Sequence, residues 1–444
     1  MGKYFGTDGF RGVANQSLMV DQAFKVGRYL GYHFHKKPKA KIIIGKDTRL
    51  SGSMLESALA AGITASGTDV ELLGVCPTPA IAYLVKSLQY DCGVMISASH
   101  NPYHDNGIKV FNREGMKLQA NIEDMIEAYV DAHDQLPYAV DGDIGVVSNV
   151  SVKLELYLDY LASLFDFDLS DKQIVCDLAN GSATATAVSL LKRFNAQLIT
   201  IADQPDGVNI NTSCGSTHPE QLISIMKSNK YDLGLAFDGD ADRLIAVDDR
   251  GDVVDGDKAL YVLAKQMIAD NKLKNNTVVT TVMSNFGLYK IFEQESIAYE
   301  KTAVGDKYVY ECMVKNDHKL GGEQSGHIIF KDLMTTGDGL LTAMKLLETM
   351  VKTDKRMSEL VAPVYIYPQL LINVKVKDKN AVLNSTEINQ VITNVQEALG
   401  NEGRILVRPS GTEPLIRVMV EAKSNELCAS YTDKVVNLIK SKGL

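Results

Sequence analysis

Short apolar runs of strand length alternate with amphipathic helical stretches along most of this 444-residue chain, and this alternation constrains the fold more than any other feature. Lys41–Gly45 and Asp91–Ile96 have the length and composition of buried strands. Between them, apolar residues recur at helical intervals after Ser53–Glu56, which has the spacing of a capping box. An alternation of this kind predicts layered α/β structure, with helices covering a sheet.

The chain is long enough for several domains, because one domain usually spans about 150 residues. A polar stretch at Asp141–Gly145 predicts a boundary near residue 150, and Asp255–Asp257 predicts another near residue 255. The last segment reads differently, as a strand, a helix, two strands and a closing helix. The expected domains are therefore 1–150, 151–254 and 255–368, each α/β, and a smaller α+β domain at 369–444.

Composition excludes several classes of protein. Hydrophobic residues make up 45% and charged residues 23% of the chain, as in ordinary globular proteins. The longest apolar runs are far shorter than the 18 or so residues of a membrane-spanning helix, and the N-terminus lacks a signal peptide or myristoylation pattern, so a cytoplasmic protein without membrane contact is expected. The net charge of −9 argues against nucleic acid as a partner. The six scattered cysteines show no zinc spacing and are expected to be reduced thiols.

Three aspartates at alternate positions, Asp238, Asp240 and Asp242, follow a hydrophobic strand pattern. Such a density of negative charge is costly unless a cation neutralises it, and carboxylate oxygens suit Mg²⁺ or Ca²⁺. An EF-hand is excluded, because Arg243 stands at the sixth position, where glycine is required. Three carboxylates leave coordination positions that Mg²⁺ often fills with water or phosphate oxygen, so a phosphoryl group is the expected partner. A solvated acidic turn is the alternative.

Ser99 lies in the segment Ser97–Pro102, where a buried strand ends and the backbone turns before a proline. Taken alone, this segment is explained better by a turn in which Ser99 and Asn101 make local hydrogen bonds. A serine hydrolase is disfavoured, because the G-x-S-x-G pattern of a nucleophile elbow is missing. Together with an expected magnesium site, the segment makes Ser99 a candidate carrier of a phosphoryl group.

Gly322–His327 places a carboxylate, an amide, a hydroxyl and an imidazole between glycines. These groups suit several hydroxyls of a sugar, although an ordinary glycine-rich turn would explain the segment as well. Phe5–Gly12 adds Arg11 in a second glycine-rich context.

Arg408–Arg417 combines two arginines with the hydroxyls of Ser410 and Thr412 and with Gly411, which can adopt a positive φ. A loop of this composition can direct backbone N–H groups and guanidinium groups at phosphate oxygens. A charged hairpin loop is the alternative.

Taken together and in this order, these motifs resemble those of the α-D-phosphohexomutase superfamily over essentially the whole chain. The segments that carry the resemblance are Phe5–Gly12, Ser97–Pro102, Asp105–Lys109, Asp238–Arg243, Gly322–His327 and Arg408–Pro414. One departure is Phe10, where a smaller aliphatic residue is expected. The resemblance implies three consecutive α/β/α domains with mixed sheets and a smaller α+β C-terminal domain, arranged around a central cleft, and it suggests a homodimer.

The resemblance also implies roles for individual residues. Ser99 would be a phosphoserine, activated by phosphorylation, and one Mg²⁺ would be held by Ser99 and the three aspartates, Asp238, Asp240 and Asp242. The groups expected around the transferring phosphoryl group are Arg11, His100, Lys109 and Arg243. The residues expected to bind the sugar or its non-reacting phosphate are Glu323, Ser325, His327, Arg408, Ser410, Gly411, Thr412 and Arg417.

The activity implied is an intramolecular phosphotransfer, in which phospho-Ser99 donates to a hexosamine monophosphate and the resulting bisphosphate turns and returns its other phosphate. Gln324 and His327 complete a glucosamine-type version of the Gly322–His327 segment, so the expected substrate and product are glucosamine 6-phosphate and glucosamine 1-phosphate. The 1,6-bisphosphate is expected as the intermediate and as an activator. The resemblance also implies a part in the supply of amino sugars for the cell wall. A glucose or mannose phosphomutase, a phosphosugar phosphatase and a non-catalytic sugar-phosphate regulator remain open. The Arg408–Arg417 loop favours a mutase, because a phosphatase needs only one phosphate-binding region.

Overall fold

The computed structural model describes residues 2–6, 8–36, 38–132, 136–410 and 414–443. Residue contacts divide the chain into two compact units, Met1–Met283 with Ala298–Ala362, and Ser284–Ile297 with Pro363–Leu444. The first unit contains three β-sheets and the second contains one.

The first sheet has seven strands in the order β1-β2-β6-β5-β3-β4-β7. Its strands are β1 Phe5–Gly6, β2 Gly9–Val13, β3 Lys41–Lys46, β4 Asp69–Val75, β5 Cys92–Ile96, β6 Asp105–Asn112 and β7 Val147–Asn149, and its helices are α1 Val20–Phe34, α2 Gly52–Thr64, α3 Thr78–Ser87 and α4 Ala120–Asp131. β3, β4, β5 and β7 are parallel, whereas β6 runs antiparallel to β5 and to β2. Ile42 to Ile44 are fully buried, as expected for a strand covered on both faces.

The capping box predicted at Ser53–Glu56 is wrong. A cap at Ser53 would start helix α2 at residue 54, but the helix begins two residues earlier, at Gly52, with Ser51 before it and no side-chain cap. The side chains of Ser53 and Glu56 both contact Nζ of Lys46 on β3 instead. Residues three positions apart also lie on the same face of a helix. In α2 this spacing places Ser53 and Glu56 together against Lys46.

The second sheet has five strands in the order β12-β11-β10-β8-β9. Its strands are β8 Gln173–Asp177, β9 Gln197–Ile201, β10 Leu233–Phe237, β11 Leu244–Val247 and β12 Val253–Val254, and its helices are α5 Leu154–Ser163, α6 Ala187–Lys192 and α7 Glu220–Ser228. Strands β10, β8 and β9 are parallel, with β9 at one edge of the sheet, and β11 and β12 each pair antiparallel with the strand before them.

The third sheet has four strands in the order β14-β13-β15-β16, of which only β16 is antiparallel to its neighbour. The strands are β13 Thr277–Thr281, β14 Ala298–Thr302, β15 Leu320–Gly322 and β16 Ile328–Phe330, and the helices of this part of the chain are α8 Gly256–Ala269, α9 Phe286–Gln294, α10 Asp306–Asn316, α11 Gly339–Thr353 and α12 Met357–Val361. Helix α9 is grouped with the second unit.

The second unit is built on three antiparallel strands in the order β17-β19-β18. These are β17 Gln369–Lys375, β18 Arg404–Pro409 and β19 Leu415–Glu421, with helices α13 Lys379–Leu383, α14 Thr386–Leu399 and α15 Asn425–Ser441. Glu421 accepts the backbone N–H of Phe286 at 2.9 Å, which attaches the α9 segment to this sheet.

These four sheets and their helices confirm the predicted class of three α/β/α domains with mixed sheets followed by a smaller C-terminal domain. All six cysteines are free thiols, and five of them are buried. Within the described ranges, no helix is both long enough and apolar enough to cross a membrane.

Candidate active site

Ser99 lies in the loop between β5 and β6 in the left-handed backbone conformation, with φ of 53°. Few residues other than glycine adopt this conformation, and those that do are often held at functional sites by their surroundings. The side chain is fully buried. Its hydroxyl donates to Oδ2 of Asp238 at 2.6 Å and lies 3.4 Å from Nδ1 of His100. The hydrogen bond to Asp238 therefore holds this hydroxyl against the loop that carries the three aspartates.

Two side chains hold the Ser99 loop by its carbonyl groups. The guanidinium of Arg49 donates to the carbonyl oxygens of Ser99 (2.9 Å), Asn101 (2.8 Å), Pro102 and Asp105 (3.1 Å). Asn211 donates to the first two of these, at 2.9 and 3.1 Å. The fully buried charge of Arg49 is balanced by Asp47 at 2.9 Å. Arg49, Asp47 and Asn211 were absent from the sequence prediction, because no local pattern marks a side chain that supports another loop.

The carboxylates of Asp238, Asp240 and Asp242 are buried and converge, with one oxygen from each lying within 4.8 Å of the other two. They occupy the turn between β10 and β11, where alternate positions face one point. Oδ1 of Asp240 and Oδ1 of Asp242 accept no hydrogen bond from the described residues. Buried carboxylate oxygens left without donors suit a hard divalent cation, so these residues fit Mg²⁺.

The electrostatics of the trio point the same way. Burial and the carboxylates of Asp242 and Asp240 raise the pKa of Asp238 well above its usual value. Lys109 is the main internal counter-charge, with Nζ at 2.7 Å from Asp240 and 3.3 Å from Asp242. Burial opposes ionisation of Asp242, but Lys109 and His327 hold its pKa well below the usual range. Lys109 and Arg243, whose Nε lies 3.8 Å from Asp242, are two cations beside three buried carboxylates, and a divalent cation would offset the remaining negative charge.

His100 stands between the serine and an arginine. Nη1 of Arg243 donates to Nδ1 of His100 at 3.1 Å, the same nitrogen that faces Ser99. Burial and the positive charge of Arg243 lower the pKa of His100 to about 4. His100 is therefore neutral near pH 7, and the cations of this centre are Arg243, which contacts His100, and Lys109, which contacts Asp240 and Asp242.

A pocket of about 200 Å³ adjoins this centre. Its lining comprises Asp8, Arg11, Asp242, Arg243, Val304, Gly305, Asp306, Glu323 and His327. Nζ of Lys117 bridges Asp8 at 2.9 Å and Asp306 at 2.8 Å, and Asp8 also pairs with Arg11. Sequence reasoning missed Asp8, Lys117 and Asp306; only Asp8 had a signal, since it lies in the Phe5–Gly12 motif beside Arg11.

The side chains of the Gly322–His327 segment contact different parts of the protein. Oε1 of Glu323 accepts the backbone N–H of Gly305 at 3.0 Å at the edge of the pocket. The Ser325 hydroxyl oxygen is buried and has no partner among the described residues. Nε2 of His327 accepts the N–H of Gly337 at 3.0 Å, and Nδ1 lies 3.8 Å from Asp242. Nε2 of Gln324 donates to Asp255 at 3.4 Å, so its amide is engaged within the protein.

The second unit carries the arginine loop. Arg408 and Arg417 are directly paired across β18 and β19, and burial and the Arg417 charge lower the pKa of Arg408. Nε of Arg408 is buried without a partner among the described residues, and Ser410 is buried. Two guanidinium groups at adjacent positions have the donors that an anion such as phosphate requires. Gly411 and Thr412, which the sequence assigned to this loop, lie outside the described residues.

Four models of the phosphoglucomutase/phosphomannomutase family match successive parts of the chain. The α/β/α domains I, II and III match residues 2–137, 155–251 and 255–367, and the C-terminal domain matches residues 371–438. Curated phosphoglucosamine mutases from Lachnoclostridium phytofermentans and Bacillus subtilis are 51% and 49% identical to this chain. Each match covers 100% of this chain and 99% of the relative.

Solved structures share the fold. A phosphoglucomutase/phosphomannomutase family protein from Burkholderia thailandensis superposes with a TM-score of 0.80 at 24% identity, covering 100% of this chain and 99% of the other. The Aspergillus fumigatus N-acetylphosphoglucosamine mutase, solved with GlcNAc-6P and magnesium, has a TM-score of 0.71 at 18% identity, covering 99% and 96%. These matches confirm the resemblance read from the motifs, and the chain belongs to the phosphoglucomutase/phosphomannomutase family of isomerases, the phosphohexomutases.

Proposed function

We propose that this protein interconverts glucosamine 6-phosphate and glucosamine 1-phosphate through a phosphorylated Ser99. The observation that carries the proposal is the 2.6 Å hydrogen bond between the buried Ser99 hydroxyl and Asp238, in a trio of converging carboxylates. Identity of about 50% over the whole chain to phosphoglucosamine mutases supports glucosamine as the sugar.

The proposed cycle has two phosphoryl transfers. In the first, the bond between phosphorus and Oγ of Ser99 breaks, and a new bond forms between phosphorus and the free hydroxyl oxygen of the sugar monophosphate. The proton of the sugar hydroxyl is transferred, in net terms, to Oγ of Ser99, which regains the hydroxyl that donates to Asp238. The glucosamine 1,6-bisphosphate then turns end for end. The reverse chemistry at its other phosphate restores phospho-Ser99 and leaves the isomeric monophosphate.

Ser99 and the carboxylates of Asp238, Asp240 and Asp242 would hold one Mg²⁺, which when bound offsets the negative charge of the transferring group. Lys109, in contact with two of the carboxylates, and Arg243, which reaches His100, are placed to neutralise further charge. Arg408 and Arg417 would bind the phosphate that does not react. Glu323 and Ser325 would bind sugar hydroxyls, and the partnerless Ser325 oxygen supports its part of this assignment.

The alternatives make different demands on the site. A phosphatase would need a single phosphate site and access for water, whereas this chain has a separate arginine pair on β18 and β19. A non-catalytic regulator would not need the serine together with all three aspartates. A glucose or mannose phosphomutase would share nearly every residue named here. The homodimer and the activating phosphorylation of Ser99 stay predictions.

A coupled assay on glucosamine, glucose and mannose 6-phosphates, each with the matching 1,6-bisphosphate and Mg²⁺, tests the proposal. We expect the highest kcat/KM for glucosamine 6-phosphate, with modest activity on glucose 6-phosphate, because exchange of one polar group often discriminates by only about 1–3 kcal/mol. A preference for glucose or mannose phosphate would favour the phosphomutase alternative. Release of inorganic phosphate at the rate of substrate loss would favour the phosphatase.

A further inference from the structure

We propose that Thr78 is a positioning residue for the metal site, because its hydroxyl and its backbone N–H hold Asp240 in a way that leaves one carboxylate oxygen, Oδ1, for the metal ion. This inference rests on the proposed function, in which Asp240 is a ligand of Mg²⁺. It adds a residue that lies outside the sequence motifs and outside the set of metal ligands. Thr78 acts through Asp240 and is not itself a ligand in this proposal.

Thr78 contacts Asp240 at two points. The Oγ1 hydroxyl of Thr78 donates to Oδ2 of Asp240, and the backbone N–H of Thr78 donates to the main-chain oxygen of Asp240 at 2.9 Å. An ionised carboxylate can only accept hydrogen bonds, so the hydroxyl is the donor of the first bond. A residue held by both its backbone and its side chain has little freedom to rotate. The two bonds therefore fix the orientation of this carboxylate relative to α3.

The two carboxylate oxygens of Asp240 have different surroundings. Oδ2 accepts the hydroxyl of Thr78 and lies 2.7 Å from Nζ of Lys109. Oδ1 is buried and has no hydrogen-bond partner among the described residues. A buried acceptor without a donor is unfavourable, and a hard cation bound to it would satisfy it. The distribution of donors thus leaves Oδ2 to the protein and Oδ1 to the metal ion.

Lys109 alone would not fix the orientation of this carboxylate. Its ammonium lies 2.7 Å from Asp240 and 3.3 Å from Asp242, so it is shared between two acids. An ammonium is a compact charge on a flexible stem, and its three donors rotate. It stabilises negative charge nearby without selecting one rotation of a carboxylate. The hydroxyl of Thr78 has a single hydrogen and donates it in one direction, so it supplies the orientation that Lys109 does not.

The position of Thr78 is itself fixed. Thr78 is buried, is the first residue of α3 and stands between Pro77 and Pro79, whose rings fix φ. The first N–H groups of a helix have no partner within that helix, and the main-chain oxygen of Asp240 supplies one for Thr78. The first domain therefore presents a rigid helix end to the aspartate loop of the second domain.

A purely structural role for Thr78 is the alternative. If the hydroxyl only joined two domains, its loss would lower stability and would leave the metal affinity of the folded protein unchanged. A positioning role predicts a change in affinity, because partners that orient a metal ligand typically contribute about 10–100-fold to metal affinity or activity. Metal affinity, measured separately from stability, therefore distinguishes the two roles.

The test is a titration of the full, unphosphorylated chain with Mn²⁺, followed by the electron paramagnetic resonance signal of the free ion. Mn²⁺ takes the same carboxylate and water ligands as Mg²⁺. Thr78→Val keeps the branched shape and removes the hydroxyl, so its Kd for Mn²⁺ should rise about 10–100-fold above that of the parent. Thr78→Ser keeps the hydroxyl and should restore most of the affinity.

Thr186→Val is the matched control. Thr186 is also buried and directly precedes a helix, α6, but its hydroxyl has no hydrogen-bond partner among the described residues. This variant should bind Mn²⁺ with the parental Kd. The Mg²⁺ dependence of turnover gives a second readout. Thr78→Val should need about 10–100-fold more Mg²⁺ for half-maximal activity, while its KM for the sugar phosphate at saturating Mg²⁺ stays near that of the parent.

The outcomes separate the role of Thr78 from the function on which it rests. A parent protein that binds no Mn²⁺ and keeps full activity in excess chelator would contradict the metal site of the proposed function, and the role of Thr78 with it. A parent that binds Mn²⁺, together with a Thr78→Val variant of equal Kd, would overturn the role of Thr78 alone. Partial unfolding lowers the number of sites and not their Kd. If Thr78→Val does not fold, Thr78→Ala carries the same expectation, and a parental Kd there would again overturn the role.

Discussion

The hydroxyl of Ser99 donates a 2.6 Å hydrogen bond to Asp238, although 139 positions separate the two residues. Ser99 follows the first sheet's strand β5, and Asp238 follows the second sheet's strand β10. Fully buried side chains on both sides of this contact keep water from competing for the bond. The proposed phosphoryl carrier and the proposed metal ligands thus lie together where two domains meet within the first unit.

Replacement of Ser99 by alanine should remove nearly all mutase turnover. Intact-mass and phosphopeptide analysis after incubation with glucosamine 1,6-bisphosphate should find phosphate on Ser99 in the parent protein and none in Ser99→Ala. The substitution should leave the loop in place, because Arg49 and Asn211 bind backbone carbonyl groups that the variant retains. Phosphate on a different residue of the parent would contradict the assignment.

Replacement of Asp240 by asparagine should abolish Mg²⁺-dependent activity. The same variant should lose the rise in thermal midpoint that Mg²⁺ gives the parent, because a ligand stabilises only the state that binds it. Asp232→Asn is a suitable control, because this aspartate directly precedes β10 but its carboxylate accepts the backbone N–H of Gln173. Full parental activity in excess chelator would rule out the metal role.

Replacement of Arg49 by lysine should reduce kcat strongly, by about tenfold or more. The lysine still supplies a positive charge to pair with the buried carboxylate of Asp47. A lysine keeps the charge but cannot reach four carbonyl groups with one planar fork. The expected loss comes from a loosened Ser99 loop, since small displacements of reacting groups have large effects on rate. Arg193→Lys, at an exposed pair of acids, should be neutral in the same assay. Equal kcat values for the parent and Arg49→Lys would refute this positioning role.

Sequence patterns predicted Ser99 and the three aspartates, which the fold brings together, but not the side chains that hold their loops. The Asp238–Asp242 alternation and the strand before Ser99 are local features, so their geometry followed from the chain itself. Arg49 and Asn211 lie in segments without a comparable pattern, and their contacts arise only when the fold brings them to the Ser99 loop. The capping box predicted from the Ser53–Glu56 spacing is wrong for the same reason, because Glu56 contacts Lys46 on a neighbouring strand instead of capping the helix.

The stability of the metal-free, unphosphorylated protein should depend on His100 in mildly acidic solution. The pKa of His100 is lowered to about 4 in the folded protein by burial and by Arg243, whereas an unfolded histidine titrates near 6.5. Between these values the unfolded chain takes up a proton that the folded protein does not, so stability is lost as the pH falls.

His100→Asn should therefore lose less stability than the parent between pH 7 and pH 5, by about 2 kcal/mol, as judged from urea unfolding at the two pH values. His218→Asn, at an exposed histidine, serves as the control and should follow the parent. Parallel curves for the parent and His100→Asn would show that the folded protein protonates this ring normally.

Replacement of Arg417 by alanine should separate binding from stability. Arg408 and Arg417 are direct neighbours across two antiparallel strands, and like charges directly opposite one another destabilise a sheet. Their proximity, which contributes to the lowered pKa of Arg408, is therefore expected to serve anion binding. Arg417→Ala should raise KM for glucosamine 6-phosphate at least about tenfold, since a charge-assisted hydrogen bond to phosphate is lost, while the thermal midpoint stays level or rises. Arg356→Ala, at an arginine with 75% of its side chain exposed, should change neither quantity. A fall in thermal midpoint with an unchanged KM would assign Arg417 a structural role and leave the second phosphate site without its main ligand.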